Sequence, residues 1–259
     1  MTKVDIEKQQ HYNAKIRIYE GNVTTLKRAE ADMLSDCRAK PQEAACKLFY
    51  LSDNMLNLTS NYLVINGITN SVLGSKNEDA LNDAKLNLSK AIIYLENVVT
   101  GKVDAPYSEY EGNLSELTNI SCEKKFYMVK KIGITLDLLE QAYGDNTKWR
   151  WTFVDLEGKF AAVAKNLLDL KKAQANNDPN SPDYEPVLSH IYFVKRSLGK
   201  VADRFHERFE LSTRRKEDLR SGINFLNALK RILLVLGDRS TAEQISKKAE
   251  NWNTVFDHA

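Results

Sequence analysis

Residues 149–170 read WRWTFVDLEGKFAAVAKNLLDL, and Trp149, Phe153, Leu156, Phe160, Val163, Leu167 and Leu170 fall there on unbroken alternating steps of four and three. This is the spacing of a narrow apolar seam on a helix that packs at a shallow angle against a neighbour. The same step recurs upstream. Tyr12, Ile16, Tyr19, Val23, Leu26, Met33 and Cys37 form one series, with Glu30 its only polar member. Leu48, Leu51, Met55, Leu58, Tyr62, Ile65, Thr69 and Val72 form a second; Leu81, Ala84, Leu88, Ala91, Leu95 and Val98 form a third. A fourth runs through Cys122, Phe126, Val129, Ile132, Leu136, Leu139 and Tyr143.

Breakers and caps divide these series. Pro41 reads as a first-turn proline, Gly74 as a C-terminal cap, and Gly101 as the close of the third helix. Ser75/Glu78, Asn113/Glu116 and Ser240/Glu243 each have capping-box spacing. The polar, Pro-interrupted stretch 102–112, KVDAPYSEYEG, reads as a loop, and Gly144, Asp145 and Asn146 as a turn. Segment 176–186, NNDPNSPDYEP, holds three of the five prolines and reads as a long connection or a hinge between subdomains. Beyond it the seam resumes at Val187, Ile191, Val194, Leu198, Val201 and Phe205, and again at Leu219, Leu226, Leu229, Leu233 and Leu236. The intervening ELSTRRKEDLR has neither Gly nor Pro. One helix of roughly 80 Å then runs from Asp183 to Leu236, at 1.5 Å per residue; a kink near Ser212 and Thr213 is the alternative.

These readings predict an all-α protein, an elongated bundle of about seven long antiparallel helices. Residues 1–176 form a bundle of five helices. Residues 177–259 supply the long helix and a short terminal one with Ile245, Trp252 and Phe256, packed on the first part; two subdomains would give an angled shape. Composition agrees. The 259 residues are 42% hydrophobic and 28% charged, with a mean hydropathy of -0.46 and only 11 Gly, too few breakers for a β-rich fold. A net charge of +2 speaks against nucleic-acid binding by bulk charge. With no apolar run long enough, no transmembrane segment is expected, and the opening MTKVDIEKQQHYNAK lacks the apolar core of a signal peptide.

No constellation points to catalysis, a cofactor or a metal. The four histidines are His11, His190, His206 and His258. Only His206 has a carboxylate at helical spacing, Asp203, where a bundle metal site needs several. Asp79/Asp83 and Glu207/Glu210 read as solvated faces. Cys37 and Cys46 flank RAKPQEAA; they are either a disulfide across that corner or two separate small side chains. Cys122 reads as core. The candidates for partner contact are Arg214, Arg215 and Lys216, beside Arg220, whose bland alternative is a salt-bridged exposed stretch. Trp151 joins them because it lies off the Trp149 seam; its alternative is packing against the 103–110 loop, which carries Tyr107 and Tyr110.

Narrow seams on long helices make poor ligand pockets and good interaction surfaces. The expected function is therefore a non-catalytic structural or scaffolding role through protein contacts, self-association included. The alternatives are a helical membrane- or nucleic-acid-associated module and, from a third class, an enzyme with a pocket between helices. The corner CRAKPQEAAC (37–46), the aromatic-bearing seam YNAKIRIYEGNVTTLKRAE (12–30) and the lack of a catalytic motif together resemble the spirochaete periplasmic flagellar-coiling proteins. That resemblance implies a component of the sheath around the flagellar filament, with filament or sheath subunits as partners and no cofactor. It implies a periplasmic location; without it the expectation is cytoplasmic.

Overall fold

The computed structural model describes residues 3–144, 149–175 and 178–258, and the fold is all-α. Among the described residues the α-helices are α1 (Lys3–Ala39), α2 (Ala44–Leu73), α3 (Glu78–Val99), α4 (Tyr107–Ser115), α5 (Cys122–Tyr143), α6 (Arg150–Asn166), α7 (Leu170–Ala175), α8 (Tyr184–Arg208), α9 (Lys216–Val235) and α10 (Arg239–His258). No helix among them is long and apolar enough to cross a membrane. The chain forms two compact units, one of residues 1–98 and 131–147, the other of residues 99–130 and 148–259. This division replaces the expected one at 176/177. The proline-rich segment lies inside the second unit because α6, before it, packs directly on α8, after it.

In the first unit α1 and α2 form a hairpin through a 3-10 turn at Pro41–Glu43. Their seams are the ones read from the sequence: Ile16 and Val23 are buried, and Leu51, Met55 and Leu58 are sealed from solvent. Each such side chain contributes about 1.5–3 kcal/mol by leaving water. Glu30, the polar member of the first seam, accepts hydrogen bonds from Lys90 Nζ at 3.1 Å and Tyr94 Oη at 2.8 Å, which fastens α1 to α3. Gly74 ends α2 with φ +72°, as expected. The cap of α3 is Asn77 rather than Ser75. Its Oδ1 accepts the Ala80 N–H at 3.0 Å, while its own N–H donates to Asn66 Oδ1 at 2.9 Å.

In the second unit the expected continuous helix does not exist. Helix α8 ends at Arg208, a π-helical turn covers Phe209–Thr213, and α9 folds back to pack along α8. Arg214 takes the left-handed conformation with φ +51°, and Arg215 is extended before the first turn of α9. The reversal lies where the kink alternative put it. Its physical cause is the buried pair of Arg208 and Asp218, an ion pair that also engages Thr213 Oγ1. A straight helix would carry Asp218 away from Arg208 and break this pair. Helix α10 then covers α9. Gly222 allows the approach: a Cβ there would lie 3.1 Å from the Ala202 carbonyl oxygen and 3.1 Å from Trp252 Cζ3.

Four further boundaries differ from expectation. The 102–112 loop contains the start of α4, which opens directly after the extended Pro106. Ser121, whose Oγ accepts the Lys124 N–H at 3.2 Å, begins α5; Asn113 lies inside α4. Thr100, with φ +79°, takes the left-handed position expected of Gly101. Helix α10 is capped by Asp238, which accepts the Thr241 N–H at 3.2 Å, rather than by Ser240.

Candidate functional site

Two polar clusters form inside the second unit. The first gathers at the end of α6, where three consecutive residues reach in three directions. The Ala164 carbonyl accepts from His190 Nε2 at 2.8 Å. Lys165 Nζ donates to the Ala105 carbonyl at 2.7 Å and lies 5.0 Å from the centre of the Tyr110 ring. Asn166 Nδ2 donates to the carbonyls of Thr100 at 2.8 Å and Lys102 at 3.1 Å, which holds Thr100 in its left-handed conformation. Burial, with Arg231 adding repulsion, pulls the Lys165 ammonium down to about 8, because a dry interior disfavours the charge. Burial likewise pushes the Tyr110 hydroxyl up to about 12 and pulls His190 down to about 4. Tyr107 donates from its hydroxyl to Asp169 at 3.0 Å and meets Tyr110 edge to face. Tyr110 is 1% exposed. It is an interior residue rather than the contact residue the sequence suggested, and Tyr107 is half-buried in the same cluster.

The second cluster surrounds Arg208 at the α8–α9 turn. Its guanidinium donates to the Trp151 carbonyl at 3.1 Å and Asp155 at 2.8 Å, and pairs with Asp218. Trp151 and the basic run 214–216, picked out separately from the sequence, are thus tied to one buried arginine. The run itself is exposed. Among the described residues no carboxylate lies within ion-pair distance of Arg214, Arg215, Lys216 or Arg220. Of the acids that the salt-bridged reading would have used, Asp218 pairs with Arg208, Glu207 pairs with Arg150, Glu210 lies beside His206, and Glu217 is exposed within the run. Three of these cations rest on aromatic faces instead. Arg214 lies 5.7 Å from the Phe209 ring centre, and Lys216 and Arg220 lie 5.4 and 5.1 Å from that of Phe256. Leu211, in the same turn, is 68% exposed. Trp151 is half-buried under the Arg150 guanidinium, 4.8 Å away.

The remaining candidates fall apart. Cys37 and Cys46 are thiols rather than a disulfide, and Cys122 is buried as expected. His206 stacks on Trp252 at 4.3 Å while Asp203 pairs with Lys248, so the Asp–His spacing is not a pair in space. Among the described residues no His, Cys, Asp and Glu group is arranged to hold a metal ion. Sequence reasoning missed Lys165, Asn166, His190, Arg208 and Asp218, whose local patterns match those of the many solvated polar residues around them.

The fold and these clusters define an all-α helical-bundle protein whose buried polar groups fasten helices together. The TP0443 family model matches residues 8–258, and the chain belongs to that family. The family is Treponema-named, which agrees with the spirochaete side of the resemblance and bears on neither flagellar coiling nor a sheath. No curated protein and no solved structure matches the chain.

Proposed function

We propose that this protein is a non-catalytic scaffold that works by binding other proteins, and that its place is in the periplasmic sheath of a spirochaete flagellar filament. The observation that carries the scaffold reading is the α8–α9 turn. It presents Leu211, Arg214, Arg215, Lys216 and Arg220 to solvent while Arg208 and Asp218 brace it from within. A braced tip with an apolar side chain, whose cations meet no carboxylate among the described residues, suits a protein contact better than a solvated face. The sheath reading draws on the resemblance of the 12–46 segment and on the spirochaete name of the family.

The test places a photo-cross-linking amino acid at position 211 in the native host and purifies intact flagellar filaments. The reading expects the protein in the filament fraction and cross-links to a filament or sheath subunit. Recovery only in the soluble fraction, with no cross-linked product, would reject it. A membrane-associated module, the second reading, draws on the same exposed cations and predicts recovery with the membranes.

A further inference from the structure

Within ten residues, 211 to 220, the α8–α9 turn exposes four cations and one large apolar side chain; Asp218 and Glu207 are engaged away from the cations, and Glu217 is the one exposed acid among them. We propose that this tip binds a short acidic protein segment carrying an apolar residue, its carboxylates meeting Arg214, Arg215, Lys216 and Arg220 and its apolar side chain meeting Leu211. The inference rests on the scaffold reading above and names the chemistry of the partner.

Three observations select this occupant. Three of the four cations are arginines, whose planar fork takes carboxylates two bonds at a time. The stacking of Arg214 on Phe209 and of Arg220 on Phe256 holds those two charged heads at the surface with less freedom to lose on binding. The turn also carries Glu207, Glu210 and Glu217. A uniformly anionic membrane surface would meet those glutamates as well as the cations, whereas a discrete segment can place its carboxylates only where the cations are. Four cations are also fewer than the six to ten phosphate contacts, in order of magnitude, from which nucleic-acid binders draw their affinity.

The test uses the full chain and a fluorescent synthetic peptide of glutamates around a central leucine, read by anisotropy at low and high salt. The expected result is binding that weakens with salt. It should fall about tenfold or more in Arg215→Glu/Lys216→Glu, the change expected for roughly 1.4 kcal/mol of lost attraction. It should fall about fivefold in Leu211→Ser, where only apolar contact is lost. Both side chains in the double variant are exposed, and acids are favourable at the start of α9, so an unchanged thermal midpoint is expected to confirm that the variant folds. Equal binding by the variants overturns the proposal, as does no binding by the unaltered protein. Tighter binding to phosphatidylglycerol vesicles or to polyuridylate overturns it in favour of that partner class. If the cross-links at position 211 persist in cells while the peptide fails, the acidic-partner inference falls and the scaffold reading stands; if both fail, both fall.

Discussion

The molecule contains two long helical hairpins, α1–α2 and α8–α9, and their turns are made in opposite ways. Between α1 and α2 the reversal is local. Pro41 opens a 3-10 turn, the Glu43 N–H donates to the Lys40 carbonyl at 3.1 Å, and Lys47 pairs with Glu43 at 3.2 Å on the surface. Between α8 and α9 no proline or glycine interrupts the chain. There the reversal is held by a buried arginine that meets Asp155 and the Trp151 carbonyl from α6 and Asp218 from α9. A turn set by backbone chemistry is read from its own residues. A turn set by a buried charge is read only once the partners are known.

The strongest way to break this comparison is to remove the arginine. Arg208→Met should cost about 3–5 kcal/mol, because Asp218 is left buried without its partner. Pro41→Ala should cost less than about 1 kcal/mol. Chemical denaturation of both variants decides, and equal losses would erase the distinction. Arg208→Met with Asp218→Leu should recover much of the loss.

Acid should act on the second unit through His190. Burial lowers it to about 4, so the unfolded chain, with an ordinary value near 6.5, takes up the proton first as pH falls. The stabilisation from this group is complete above pH 6.5 and is lost as pH falls toward 4, by about 3 kcal/mol over that window. His190→Leu starts less stable, since the Ala164 carbonyl loses its donor, but its stability should change less with pH there. Denaturation midpoints at several pH values compare the slopes, and parallel slopes would refute the assignment.

Glycine substitutions should have opposite signs in the two hairpins. Gly222→Ala forces a methyl group against the Ala202 carbonyl and Trp252 and should cost about 1–3 kcal/mol. Gly67→Ala in α2 meets nothing within 4 Å. It should stabilise by about 0.5–1 kcal/mol, as alanine replaces glycine inside a helix. Thermal melts of the two variants, shifting in opposite directions, would sharpen the contrast.

The seams were legible because apolar spacing repeats within a helix: every member of the α3 series is buried, as are Leu51, Met55, Leu58, Tyr62, Ile65 and Thr69 of the α2 series, although the buried faces also take in residues beside the series such as Phe49, Leu56 and Ile92. Gly74 was legible for a similar reason, as a glycine at the end of such a series. Thr100 was not. Its left-handed backbone depends on Asn166, sixty-six residues away in sequence, accepting no local signal of its own. The candidate site divides the same way. The basic run and Trp151 stood out as surface features, while Arg208, which joins them, looked like one more cation among the helix-face charges.

By itself the sequence determined that this chain is helical, which faces of its long helices are apolar, and that the cations at 214–216 are exposed. Periodicity, breakers and solvated charge are properties of neighbouring residues. Only the tertiary structure decided that the run from Asp183 to Leu236 folds back on itself, that Lys165, His190, Arg208 and Asp218 are interior, and that Tyr110 is core. The free energy of a buried polar group depends on partners supplied by distant segments, and no local pattern names those partners.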